Sequence, residues 1–140
     1  MTISIPEGAQ RVIAKLAELG HPHDVVMLPV TGRTAADAAA ALGVELGQIA
    51  KSIVFRRRDD DAAVLVVTSG DLRVDEKLVS ALVGKVGRAD ADFVKGATGF
   101  SIGGVSPVAH SQPPVMLIDR ELFRFEQIWA AAGHPYAVFP

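Results

Sequence analysis

The feature that most constrains this chain is a pair of β-branched, apolar runs on either side of an acidic turn. Residues 49–57 carry Ile53, Val54 and Phe55, residues 62–69 carry Val64, Leu65, Val66, Val67 and Thr68, and Asp59, Asp60 and Asp61 stand between the two runs. Runs of that composition separated by a polar turn read as a β-hairpin, whose strands pair antiparallel. The remaining elements alternate irregularly. Residues 6–19 repeat Val12, Ile13, Leu16 and Leu19 at helical spacing before Gly20. Residues 23–28 read as a strand ended by Pro29. Thr34 stands as an N-cap with Asp37 three residues on, ahead of an alanine-rich helix over 35–42 that stops at Gly43. Helices are expected over 75–83, with Asp75 as cap, and over 90–95, followed by a glycine-rich loop over 96–107. Residues 115–118 and 136–139 read as strands, whereas 123–129 suit either a strand or a short helix. A hairpin inside irregular alternation favours an α+β fold with a mixed sheet over a doubly wound parallel one.

Length and composition set the class. The 140 residues, with no repeat and no linker-like stretch, read as one domain over 1–140, and 49% hydrophobic against 21% charged residues are globular proportions. There is no cysteine, which excludes disulfides, thiolate metal sites and a cysteine nucleophile. The N-terminus has no basic patch followed by an apolar run, and no apolar run is long enough to span a bilayer, so the reading is a soluble, cytoplasmic protein without membrane association. The net charge of −2 argues against a protein that grips a long stretch of nucleic acid, but leaves room for one that recognises only the end of a strand.

Three segments could carry chemistry. Strand alternation puts Lys51 on the same face as Ile53 and Phe55, where a lysine is costly unless it reaches water or a cleft. It reads either as a strand-end lysine snorkelling to solvent or as a cation at the mouth of a pocket. The segment Gly99-Phe100-Ser101-Ile102-Gly103-Gly104-Val105-Ser106-Pro107 has the most unusual composition in the chain. Its backbone N–H groups could bind an anion or a developing oxyanion, or it could be an irregular connection. It matches neither a phosphate-binding Walker loop nor a dinucleotide fingerprint. The histidines His21, His23, His110 and His134 lack metal-site spacing, so no metal or other cofactor is expected. Ser52, Ser101 and Ser106 would be nucleophiles only beside a base, and no Gly-x-Ser-x-Gly elbow is present. Arg56-Arg57-Arg58 abutting Asp59-Asp60-Asp61 reads as a solvated hairpin tip.

Taken together, Lys51-Ser52-Ile53-Val54-Phe55, Ser69-Gly70-Asp71-Leu72-Arg73-Val74-Asp75-Glu76-Lys77, Gly99 through Pro107 and Ala132-Gly133-His134-Pro135 resemble, in order and spacing, the YbaK/prolyl-tRNA synthetase-associated editing domain. The resemblance covers roughly residues 31–139, and it departs from the family pattern at Ala109-His110. It implies a mixed, strongly curved sheet flanked by helices, and a metal-independent, trans-acting hydrolase of the ester joining an amino acid to tRNA. The substrate class it implies is a small residue of the alanine, cysteine or serine kind on tRNA(Pro). Lys51 corresponds to the family's pocket lysine, and Gly103 through Pro107 to its Gly-x-x-x-Pro loop, giving Lys51, Gly103 and Gly104 as catalytic residues. Ser52, Val105, Ser106, Pro107 and His134 are then expected around the substrate. The expected partners are the 3′ acceptor end of a mischarged tRNA and a prolyl-tRNA synthetase. Lacking a histidine–carboxylate pair in the sequence, the reaction is expected to draw its proton transfers from the tRNA's terminal ribose hydroxyl or a water that it orders. Two other classes compete: a non-catalytic tRNA- or synthetase-binding module of the same fold, which would tolerate Lys51→Ala, and a small-molecule esterase, which would act without tRNA.

Overall fold

The structure, a computed structural model, describes residues 5–140. In chain order it runs α1 (Glu7–Glu18), β1 (Val26–Met27), α2 (Ala35–Leu42), β2 (Ile49–Arg57), β3 (Ala63–Ser69), α3 (Glu76–Val83), β4 (Val86–Arg88), α4 (Ala91–Thr98), β5 (Val115–Ile118), β6 (Trp129–His134) and β7 (Ala137–Phe139). Short 3₁₀ turns cover Leu46–Gln48 and Arg120–Arg124. The strands form one mixed sheet in the order β1-β7-β6-β2-β3-β5, with β4 also paired to β2. The helices flank it, giving the α+β class.

The acidic turn closes as its composition predicts. β2 and β3 pair antiparallel from Ala50↔Ser69 to Arg56↔Ala63. The basic and acidic blocks at the tip pair with each other, Arg56 with Asp61 and Arg57 with Asp60, each at 2.7 Å. Both pairs are solvated and contribute little to stability. Parallel pairing enters where β6 meets β2 and where β5 meets β3. Helix starts follow the side-chain chemistry: Thr34, Asp75 and Asp90 each accept a main-chain N–H of the first turn.

Alternation along β2 and β3 divides the core. Ala50, Leu65 and Val67 face a cluster with Val12 of α1, Val94 of α4 and Phe100, whereas Phe55, Val64 and Val66 pack on Val79 of α3 from the other side. A smaller cluster seats Ala38 and Ala39 of α2 on Ile49. α1 lies on β6 at one close backbone approach, where a Cβ on Gly8 would overlap the carbonyl oxygen of Gly133 and one on Gly133 would overlap that of Gly8.

Four expectations need revision. The strand over 23–28 shrinks to Val26–Met27, both exposed at the sheet edge. The helix over 90–95 continues through Gly96 to Thr98, whose Oγ1 donates to Val94 O at 2.7 Å, so the loop begins at Gly99. The ambiguous segment 123–129 resolves into the end of a 3₁₀ turn and the start of β6. The final strand starts at Ala137, and His134 closes β6 with the turn falling on Pro135 and Tyr136.

Candidate active site

The site is a gap in the sheet. On its inner edge β2 pairs with β3 along its whole length, but on its outer edge it meets β6 only at Ile49 and Ala50, and β4 only from Phe55 to Arg57. Residues 51–54 therefore have an unpaired outer edge. Gly70 N donates to Ile49 O, and Arg57 N to Ala62 O, so the odd-numbered residues of β2 turn their main-chain groups to β3. Antiparallel alternation then turns the N–H and C=O of Ser52 and Val54 into the gap. A cavity of about 370 Å³ opens there, of the size that holds a small ligand.

Lys51 and Ser52 line this cavity together with Gly103, Val105, Ile102 and Arg33. Lys51 shares the face of Ile53 and Phe55, which pack toward α3, and it is half-buried. Among the described residues no carboxylate pairs with it. It therefore borders the cavity without an ion-pair partner among the described residues. Ser52 lies on the opposite face, and its Oγ is buried without a hydrogen-bond partner. A buried hydroxyl in that state costs about 1–3 kcal/mol unless a ligand bonds it.

The glycine-rich loop enters from the other side. Ser101 O accepts from Gly104 N–H at 3.0 Å, closing a tight turn in which Gly103 takes a φ of +96°. Gly103 packs on the Arg33 side chain, and a Cβ on Gly104 would stand 2.9 Å from the His134 backbone. The turn decides which amides are available. Gly104 N–H is already bonded, whereas the N–H groups of Gly103 and Val105, among the described residues, have no partner. Lys51, Ser52 with its orphan hydroxyl, and Gly103 and Val105 with their unpartnered amides thus line one cavity, a set of groups suited to an anion or to the oxyanion of a tetrahedral intermediate.

The other expected residues are placed elsewhere. Gly104 and His134 line an adjoining cavity. His134 Nδ1 accepts the N–H of Tyr136 at 3.2 Å, which fixes its ring. Ser106 is fully buried and its Oγ accepts from Val108 N, while Pro107 borders a third, outer cavity. Ser106 and Pro107 therefore shape the loop rather than its cavity-facing surface. His110 braces the same segment: its Nε2–H donates to Ser106 O at 2.6 Å, and its Nδ1 is buried without a partner. Burial pushes the His110 pKa down, and nearby Arg11 pushes the same way against the Ser106 carbonyl. No three His, Asp or Glu side chains gather as a metal centre requires among the described residues.

Arg33 and Ile102 were not singled out in the sequence, and neither was the Val105 amide as a free donor. Arg33 had one weak signal, an arginine beside a glycine just ahead of an N-cap. The amides had none, because which N–H is left over depends on a turn whose closure is not written in composition.

Residues 30–140 match the model of the aminoacyl-tRNA editing domain. The uncharacterized protein YwhH of Bacillus subtilis (strain 168) is 34% identical over 112 residues, spanning 79% of this chain and 71% of YwhH. A solved structure described as a candidate trans-editing enzyme for prolyl tRNA synthetase is 40% identical with a TM-score of 0.89, over 97% of this chain and 87% of that one. A second, of a protein described only as hypothetical, is 30% identical with a TM-score of 0.82, over 92% and 86%. This chain therefore belongs to the aminoacyl-tRNA editing domain family.

Proposed function

We propose that the chain acts in trans as a deacylase, hydrolysing the ester between a small amino acid and tRNA(Pro). The observation that carries the reading is that Lys51 lines one cavity of about 370 Å³ together with Gly103 and Val105, whose main-chain N–H groups have no partner among the described residues. In the proposed reaction a water attacks the ester carbonyl carbon. The oxyanion that forms accepts hydrogen bonds from Gly103 and Val105, and Lys51 compensates its charge. The carbon–oxygen bond to the ribose then breaks, the amino acid leaves with its carboxylate, and the released ribose oxygen takes up a proton. No histidine–carboxylate ion pair occurs among the described residues, so the vicinal hydroxyl of the terminal ribose, or a water it orders, carries the proton. Replacing that hydroxyl with hydrogen should slow hydrolysis strongly.

Similarity to a candidate trans-editing enzyme for prolyl tRNA synthetase supports tRNA(Pro) and a synthetase partner. The orphan Ser52 hydroxyl supports a small, somewhat polar side chain, since shape alone separates substrates that differ by a methylene by only about 1–3 kcal/mol. The test is deacylation of alanyl-, cysteinyl-, seryl- and threonyl-tRNA(Pro) by the wild type and by Lys51→Ala. The expected result is hydrolysis of at least one substrate, reduced about a hundredfold or more in the variant. The net charge of −2 favours a second reading, a tRNA-binding module that borrows affinity from a partner, and equal turnover by both proteins would point to it.

A further inference from the structure

The loop that carries the Gly103 and Val105 amides leaves α4 at Gly99 and closes on itself near Ala109. Its two stems meet in one place. Ser111 N–H donates to Thr98 O at 3.0 Å, and the guanidinium of Arg11, from α1, bridges the rest. Arg11 Nη1 donates to Gly99 O at 3.2 Å, while Nη2 donates to Thr98 O at 3.4 Å and to Ala109 O. One planar fork thus holds the beginning and the end of the loop together.

The chemistry of the stems explains why a cation sits there. The last carbonyls of a helix have no partner inside it, and positive charge is favoured at that end. Thr98 ends α4, and Gly99, at a φ of +82°, is its left-handed cap. Arg11 supplies one cation and Lys95 a second, its Nζ donating to Gly99 O at 3.2 Å. The Arg11 guanidinium also lies over the Phe100 ring, 4.7 Å from its centroid, and forms no ion pair among the described residues. Its donors are therefore committed to the loop. Ala109 adds a reason for the hold, since it is a non-glycine residue at a φ of +66°, a conformation that persists only where its surroundings enforce it. Three residues before Arg11 on the helix, Gly8 makes the close approach to Gly133 that seats α1 on β6. Arg11 is not part of the lining of the Lys51 cavity, so any effect on that cavity passes through the loop.

We propose that Arg11 is a positioning residue: by tying the stems at Gly99 and Ala109 together, it sets where the Gly103 and Val105 amides point. The inference rests on the proposed function for the reaction that those amides serve. An amide that meets the ester oxygen only as the oxyanion develops acts on the transition state and not on ground-state binding. Loss of Arg11 is then read in kcat and not in KM.

The test is Arg11→Ala, studied at a temperature where circular dichroism shows it folded, with two readouts. Amide ¹⁵N order parameters at Gly103 and Val105 should fall from the ~0.85 of rigid backbone toward ~0.6. On a mischarged tRNA, kcat should drop about tenfold to a hundredfold while KM stays within about twofold. Millimolar guanidinium should restore both, and Lys15→Gln, further along α1, should change neither. Should the alanine variant not fold, Arg11→Lys, which keeps the charge and loses the fork, should show the same losses to a smaller degree. Order parameters equal to those of the wild type, a loosened loop with unchanged kcat, or a loss confined to KM would each overturn the assignment. If the loop loosens and guanidinium tightens it again, while even the wild type hydrolyses no mischarged tRNA, the clamp stands and the deacylase reading falls.

Discussion

Ser52 pits folding against function in one hydroxyl. Its Oγ is buried without a partner on the wall of the candidate cavity, so the native state bears a desolvation cost that no protein contact returns. Ser52→Ala removes that cost. The variant should unfold at the same or a higher denaturant midpoint, by up to about 1 kcal/mol, while its preference for seryl- over alanyl-tRNA falls. A loss of stability would instead mean that the hydroxyl is bonded in the native state. His110 gives a pH signature. Burial holds its folded pKa below the ordinary 6.5, so the unfolded chain binds the proton more tightly. Stability from this group is therefore complete above about pH 6.5 and declines as the pH falls from there toward the folded value. Thermal melts between pH 7 and pH 5 should show a decline that is shallower in His110→Asn. Lys51 was legible in the sequence because alternation marks a charge on an apolar face. Ser52, the very next residue, was expected around the substrate from the family resemblance alone, and its orphan hydroxyl had no signal, because whether a serine hydroxyl finds a partner is settled only by what packs against it.

Two helical glycines test how elements are seated, because they should respond with opposite signs. Alanine gains about 1 kcal/mol over glycine inside a helix. At Gly96, in α4, an added Cβ meets nothing within 4 Å, so Gly96→Ala should stabilise by about 0.5–1 kcal/mol. At Gly8, in α1, the added Cβ would overlap the carbonyl oxygen of Gly133 in β6. Separating the helix from the strand costs about 1–3 kcal/mol, which outweighs the propensity gain, so Gly8→Ala should destabilise. Urea unfolding of the two variants checks both signs. The same competition explains which elements the sequence concealed. The β2–β3 hairpin was readable because its residues prefer strands and its turn is acidic. β6 was half hidden, since Ala130, Ala131, Ala132 and Gly133 have little strand preference and are extended only because β2 and β7 flank them. β4, three residues with a central glycine, lies below what a period-two pattern can register. α4 outran its expected range because the left-handed C-cap that ends it is Gly99, whose N–H donates to Lys95 O, and not Gly96.

The candidate site exists only at the scale of the whole molecule. Its open edge is the stretch of β2 that β6 and β4 both leave uncovered, and those three strands are far apart in sequence. Motifs could name Lys51 and the Gly103 loop, but the gap that joins them depends on where two short, weakly marked strands stop. The topology also makes β7 an interior strand. β7, the last strand, sits between β1 and β6 and pairs with both, Val26↔Val138 on one side and Ala131↔Val138 on the other. All three of its side chains are buried, two of them in the cluster that holds Val12 and Phe100. Burying Val138 and Phe139 contributes about 1.5–3 kcal/mol each. Several ladder hydrogen bonds add about 1 kcal/mol apiece. Their sum is comparable to the whole stability of a domain, about 5–15 kcal/mol. Deleting residues 137–140 should therefore remove more than a fraying end: it splits the sheet between β1 and β6 and strips the cover from the core beneath. The shortened chain should show no cooperative thermal transition by circular dichroism and no protected amides in β6. A cooperative transition near that of the full chain would mean that β1 can close onto β6 directly, and that the sheet order is less tightly specified than its pairing implies.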